Sequence, residues 1–449
     1  MTQYHGLWEQ VWPAEGKAAV EKARALLANP SAKADVKATA RERAYIEAIA
    51  TIFDAPTTPL YTRELAYEQA MAKLHADYPD DHEAAIFYAL ALDVDAPKTD
   101  KTYANQRKAL TVLLPIFKAA PNHPGLTHYI IHVSDFPPLA ADALPAARRY
   151  AEIAPASAHA QHMPSHIFIR LGLWDEAIKS NRASAASAER DQRASKTNEA
   201  LNQRLHALDY MEYAFLQQGR YADAREIMVL AKRIRGTQGL NNTGGYADAA
   251  IPARFAMERH EWEEAAALPD PTGSGPNDAI TWYAKGLGAA LSVDSDHRAR
   301  DTARVRAIVG KLAGIREKLA QAGNQYWSDQ VEIQRLQVLA FVEAAEQDIE
   351  SALKHARAAA DLEDATEKSP VTPGPILPAR ETLAGMLMVL GRASEALVEL
   401  EAVLKVSPNR LNALDAAART AAASGQAQKA QQYKAKLTKI RKMTKAGGM

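Results

Sequence analysis

The sequence predicts an all-α chain assembled from repeated pairs of antiparallel helices. Three observations carry that prediction. Alternating apolar–polar stretches are scarce, while apolar residues recur at helical intervals in "ELAYEQAMAKLHADY" (64–78) and across 24–54. Pro, Asn and Asp interrupt these stretches often enough to hold the helices to roughly 10–20 residues. One phrase also returns: a Gly or polar residue, an aromatic or small residue two later, and an alanine three after that. It stands as "GLWDEA" (172–177), "GRYADA" (219–224), "HEWEEA" (260–265), "QDIESA" (347–352), "GRASEA" (391–396) and "GQAQKA" (425–430), the last two 34 residues apart. Self-similarity at such a period is the signature of a repeated supersecondary unit.

Along the chain, residues 1–60 read as an N-terminal helical segment, 61–270 as helix pairs with a histidine-rich face, and 271–449 as further pairs. The opening "MTQYHGLWEQVWPAEG" has no basic n-region and no apolar core of a signal peptide. Its abrupt aromatic start suggests a missing upstream piece. The expected compartment is cytoplasmic as written, and envelope or periplasm if a leader precedes. His5, Trp8 and Trp12 read as core, the alternative being that they complete a site against a further upstream repeat. His82 and Glu83 in "YPDDHEAAIFYALAL" read as a helix start, where acidic side chains complement the N-terminal dipole. "NNTGGYAD" (241–248) reads as a loop, and His260, His297 and His355 occupy polar, exposed positions. "EDATEKSPVTPGPILPARE" (363–381) carries four prolines and reads as a rigid inter-helix turn, with Arg380 and Glu381 on the helix surface behind it.

Composition narrows the chemistry. Lys+Arg and Asp+Glu both number 54, so there is no net basic field to draw nucleic acid or an anionic membrane. No run approaches the roughly 18 apolar residues of a membrane span. There is no cysteine, so any metal must be held by nitrogen and oxygen. No phosphate-binding glycine loop, G-x-S-x-G or H-E-x-x-H is present.

The phrase, its 34-residue interval and the "SPNR" turn (407–410) resemble the tetratricopeptide family from about residue 60 to the end. That resemblance implies a tetratricopeptide-type helical-repeat solenoid, whose first helices line a concave groove. "HPGLTHYIIH", "HMPSHIFIRLGLWDEAI", "AAIPARFAMERHEWEEAAAL" and "EDATEKSPVTPGPILPARE" are similar to a bacterial group of long tetratricopeptide proteins with no established activity. Membership in that group implies a further repeat upstream of "HGLWEQVW".

Two histidine pairs lie on the repeat grid. "HYIIH" carries His128 and His132, "HMPSH" carries His162 and His166, and 34 residues separate the corresponding members. A spacing of four puts each pair on one helix face, one turn apart. The family resemblance implies that these positions face the groove. The predicted arrangement is a two-by-two array across adjacent first helices. One repeat further, "NQRLHALDYMEYAFLQQG" (202–219) aligns Asp209 with His162, Tyr213 with His166 and His206 with His159; Arg254 then aligns with Tyr213.

Neutral imidazoles with a carboxylate suit a divalent transition metal such as Zn, Cu, Fe or Mn. His128, His132, His162, His166, His206 and Asp209 are therefore candidate metal ligands. Tyr213 and Arg254, at the groove edge, are candidates to hold an anionic group of a small molecule or peptide, since guanidinium offers fixed bidentate donors. Against this stands the commoner fate of a helical histidine, which is packing or solvation. Pro164 should distort its helix and could turn His162 away. Met163 reads as packing. The alternative function is a non-catalytic scaffold binding a partner protein segment in the same groove, with the histidines as a pH-sensitive lining.

Overall fold

The computed structural model describes residues 13–28, 39–97, 99–194, 198–234, 240, 242–292 and 301–446. The opening segment with His5, Trp8 and Trp12, and also His297, lie outside the described residues. Among those described, regular structure is helical throughout and no strand occurs. None of the described helices is long and apolar enough to cross a membrane. The chain divides into two compact units, Met1–Ile153 and Ala154–Met449.

The first unit contains α1 (Pro13–Ala28), α2 (Ala40–Phe53), α3 (Leu60–Asp77), α4 (His82–Val94), α5 (Ala104–Ala119), α6 (Pro124–Val133) and α7 (Leu144–Ile153). Each helix packs on the next, and α6 also rests on α4. Helix starts follow local chemistry. Thr39 and Glu42 form a reciprocal capping box at α2. At α4 the cap is Asp81, accepting from Glu83 N. Glu83 itself reaches across to α6, where its Oε1 lies 2.7 Å from His123 Nε2; His123 Nδ1 accepts from Leu126 N at 3.1 Å and so caps α6.

The second unit begins with two short helices, α8 (Ala158–His162) and α9 (Pro164–Arg170), packed on the long α10 (Trp174–Ala194). There follow α11 (Glu199–Gln217), α12 (Tyr221–Ile234), α13 (Asn242–Met257), α14 (Trp262–Ala266), α15 (Pro276–Leu291) and α16 (Thr302–Gln321). The unit closes with α17 (Gln325–Ala345), α18 (Ile349–Ala365), α19 (Ala379–Val389), α20 (Ala393–Val406), α21 (Leu411–Ala423) and α22 (Ala427–Ala446). Consecutive helices pack as pairs, and α11, α13, α15, α17 and α19 also pack successively side by side. This is the tetratricopeptide-type pairing that the sequence predicts.

The recurring phrase is the turn inside each pair. Its first residue, Gly172, Gly219, His260, Gln347, Gly391 or Gly425, has φ between 58° and 76° in every copy. Each stands just beyond a first helix, where a left-handed residue reverses the chain. Glycine adopts that conformation without a Cβ penalty, whereas His260 and Gln347 hold it with one. The alanine ending the phrase is buried each time: Ala177, Ala224, Ala265, Ala352 and Ala396 are fully covered and Ala430 nearly so. A methyl group there lets the two helices approach closely.

The second unit also folds back on itself. The turn before α21 packs against the turn between α9 and α10: Trp174 Nε1 donates to Asn409 O at 3.1 Å, and Asn409 Nδ2 to Gly172 O at 3.3 Å. Leu411 N donates to Gln217 Oε1 at 3.1 Å, and buried Arg410 pairs with Glu258 at 2.6 Å. Arg410 Nε also donates to Glu381 Oε2 at 2.7 Å, so Glu381 belongs to a buried ion network and not to the helix surface expected from sequence. Burial forces this outcome: Arg410 is fully enclosed and needs a second carboxylate.

Candidate metal centre

Pro164 breaks the histidine-bearing helix without scattering its ligands. The break falls at Met163, which stays in helical geometry and is itself buried. Pro164 becomes the first residue of α9, where its missing N–H costs nothing. His166 N bonds to Met163 O at 3.1 Å, and Ser165 Oγ takes over the His162 carbonyl at 2.7 Å. The ligand faces stay in register, with His162 Nε2 and His166 Nε2 3.1 Å apart. Two nitrogens each about 2.0–2.1 Å from one zinc ion would stand roughly 3.3 Å apart at a tetrahedral angle.

His206 on α11 completes a triad. Its ring centroid lies 4.3 Å from that of His162, and one ring nitrogen from each of His162, His166 and His206 falls within 4.8 Å of the others. Tyr210, one turn along α11, meets all three rings, 4.6 Å from His162, 5.2 Å from His166 and 5.0 Å from His206. Its hydroxyl lies 2.9 Å from both Pro370 O and Thr372 O. The proline-rich segment is therefore more than an inter-helix turn, since it lies against the aromatic wall of this centre.

Burial disfavours charge on two of the three histidines. Burial, followed by the neighbouring histidines, pushes the proton affinities of His162 and His206 well below the ordinary imidazole range. The tautomer of His162 is fixed from α10. Asn181 Nδ2 donates to Ala177 O at 2.9 Å, which turns Asn181 Oδ1 towards His162 Nδ1 at 2.7 Å. Nδ1 must then carry the proton, and the Nε2 lone pair faces the centre. His206 Nδ1 is buried with no hydrogen-bond partner, a cost that a bound ligand would remove.

In the first unit His128 and His132 are both buried, with Nε2 atoms 3.0 Å apart. His128 stacks on Tyr129 and on Tyr150, 5.6 and 5.3 Å between centroids.

Of the remaining candidates, Asp209 and Tyr213 lie further along α11 and Arg254 lies on α13. Asp209 and Arg254 are fully buried and paired through Arg254 Nη1, with Glu212 Oε2 3.5 Å from the same nitrogen. Asp209 thus stands on Arg254 and outside the triad of ligand atoms. Arg254 lies 5.5 Å over the Tyr213 ring. Tyr213 and Arg254 were expected at a groove edge; both are interior, at 2% and 0% exposure. Tyr246 donates to Thr372 Oγ1 at 2.8 Å, and Gly374 lies beside the Tyr213 hydroxyl, so the proline-rich segment adjoins the layer containing Arg254. Desolvation raises the proton affinity of Asp209, and that of Glu212 far more.

Sequence reading did not find Asn181, Tyr210, Glu212, Glu258 or Arg410 as parts of this interior. One signal was available for Asn181. Helix α10 buries Ser180, Asn181, Ser184 and Ser187 among Trp174, Ala177, Ile178, Ala185 and Ala188, so its packed face carries polar groups that need partners. Ser184 Oγ donates to Ala158 O at 2.7 Å and Ser180 Oγ to Gln161 O, bracing α8.

No family model matches the chain, and no curated protein matches its sequence. Among solved structures it is similar to a monomeric mutant of IFIT1 with m7Gppp-AAAA, at 10% identity over 95% of this chain and 87% of that one, TM-score 0.37. It is also similar to a circular tandem repeat protein of novel repeat topology, at 11% identity over 90% and 82% of the two chains, TM-score 0.16. Likeness this remote says nothing of ligand or activity.

Proposed function

We propose that this is a metal-binding tetratricopeptide-like protein whose centre is the triad His162, His166 and His206, loaded with a divalent transition metal. The observation carrying this reading is the convergence of three desolvated ring nitrogens within 4.8 Å of one another, one held in its metal-ready tautomer by Asn181. Imidazole as donor suits zinc, copper or iron(II), and three protein ligands leave a position for water or substrate. A metal there would supply a Lewis acid and an activated water. The His128–His132 pair is a second candidate ligand set, offering two imidazoles from the first unit. The Asp209–Arg254–Tyr213 layer, one helical turn from His206, is proposed to receive the polar group of a small molecule.

A partner segment lying along the histidines is less well supported. In the second unit the inner positions are covered by the chain's own 366–378 segment and 407–412 turn, and His162 and His166 are each 3% exposed.

Elemental analysis of the purified chain, before and after reconstitution with Zn, Cu, Fe or Mn, tests the proposal. About one equivalent that disappears in His162→Ala and His206→Ala supports it. Fewer than about 0.2 equivalents of every metal after reconstitution removes it.

A further inference from the structure

Three fully buried side chains beside the triad leave polar atoms unspent. Arg254 uses Nη1 on Asp209, while its Nε and Nη2 find no acceptor. These two nitrogens form the side-on edge of the guanidinium, whose parallel N–H bonds match a carboxylate. Asp209 Oδ2 and Glu212 Oε1 find no donor, and Glu212 Oε2 has only the long 3.5 Å approach of Arg254 Nη1. Native interiors seldom leave so many buried polar atoms unpaired in one place.

We infer that this layer binds a free amino acid, with the α-carboxylate on the Nε/Nη2 edge of Arg254 and the ammonium on Asp209 Oδ2 and Glu212. The unpaired atoms select this class. Asp209 already pairs with Arg254 through Nη1, and the layer still offers one donor fork and several carboxyl oxygens. A lone anion would leave the carboxyl oxygens without donors, and a lone cation would leave the fork without an acceptor. A zwitterion brings no net charge and supplies both missing partners, two acceptors for the fork and three N–H donors for the carboxyl oxygens.

The placement links this site to the metal centre. Asp209 follows His206 by three residues on α11, a rise of about 4.5 Å. Tyr213 forms an aromatic face over which Arg254 lies, and Tyr246 and Gly374 bring in the proline-rich segment. Entry requires that segment to part from Tyr246. The inference rests on the reading of this layer as the substrate end of the site.

The test is isothermal titration of the full chain with each proteinogenic amino acid, with acetate and methylamine as single-charge probes. Metal content is measured on the same samples. The expected result is saturable binding of at least one amino acid and none of acetate or methylamine at the same concentrations. Arg254→Lys should weaken that binding at least 10-fold with metal content unchanged, since the fork is lost and the charge kept. Should Arg254→Lys fail to fold, Glu212→Leu, which removes both carboxyl oxygens, should give a similar loss. No binding by any amino acid, or acetate binding as well as the best of them, overturns the inference and leaves a hydrated ion cluster. Amino-acid binding by a chain that takes up no metal on reconstitution would instead count against the metal proposal alone.

Discussion

Asn181 Oδ1 lies 2.7 Å from His162 Nδ1, and the amide faces that way because its nitrogen is held on Ala177 O. One second-helix residue therefore decides which nitrogen of a first-helix histidine is free to bind. Removing such a partner typically costs about 10–100-fold in metal affinity. Asn181→Leu should show that loss in a competitive chelator titration, while Asn181→Asp, which still accepts from Nδ1, should retain binding. Equal affinity in Asn181→Leu and the unaltered chain would show that the tautomer lock is irrelevant.

Acid should destabilise the second unit through the triad. His162 and His206 have folded proton affinities well below the ordinary value of about 6.5, so the unfolded chain binds more protons as pH drops below it. Stability is then full above about pH 6.5 and is lost as pH falls towards the folded values. Thermal melts of metal-free protein between about pH 7 and pH 5 should show this decline. His206→Gln should flatten it; an equally steep decline in that variant would contradict the assignment.

Glu363 works in the opposite direction. Burial pushes its carboxyl up to about 8, although its Oε1 accepts from Ala379 N at 3.0 Å. The folded state then holds a proton that the unfolded state releases above about pH 4.3, so this contribution is lost as pH rises towards 8. Glu363→Gln keeps the acceptor and removes the titration. Its melting temperature should gain on that of the unaltered chain between pH 6 and pH 8, and a constant difference would refute the assignment.

The repeat turns predict unequal costs for one substitution. Gly172 and Gly391 both sit at positive φ, 64° and 74°. A Cβ at Gly172 would come within 2.1 Å of Pro408 O, whereas nothing lies within 4 Å of one at Gly391. Gly391→Ala should cost about 1–2 kcal/mol from backbone conformation alone. Gly172→Ala should cost clearly more, because backbone on both sides must move. Denaturant unfolding of the two variants decides this, and equal midpoints would argue against the close approach of the two turns.

Arg410 is the tie between the returning turn and α13. Replacing it with methionine leaves Glu258 and Glu381 without their cation, and breaking a buried pair costs about 3–5 kcal/mol. The melting temperature of Arg410→Met should fall sharply, and addition of Glu258→Gln with Glu381→Gln should recover part of it. A single variant as stable as the original chain would show that the network is not stabilising.

Local chemistry made the helix pairs legible without coordinates. A left-handed turn residue and a small alanine must recur wherever two helices reverse and pack closely, so the phrases from "GLWDEA" to "GQAQKA" marked the pairs. The i,i+4 spacing likewise gave the pairing of His162 with His166, because a turn of helix needs no partner to set it. Tertiary structure alone decided the rest. His206, offset from the pairs in the repeat alignment, joins the triad through the packing of α11 on α8. Asp209 goes to Arg254 and Glu381 to Arg410, because a buried guanidinium takes the carboxylate within reach whatever its place in the repeat. Tyr213 became interior beside Gly374, which belongs to a segment distant in sequence, and Arg254 became interior over the Tyr213 ring; period and propensity carry no trace of such contacts.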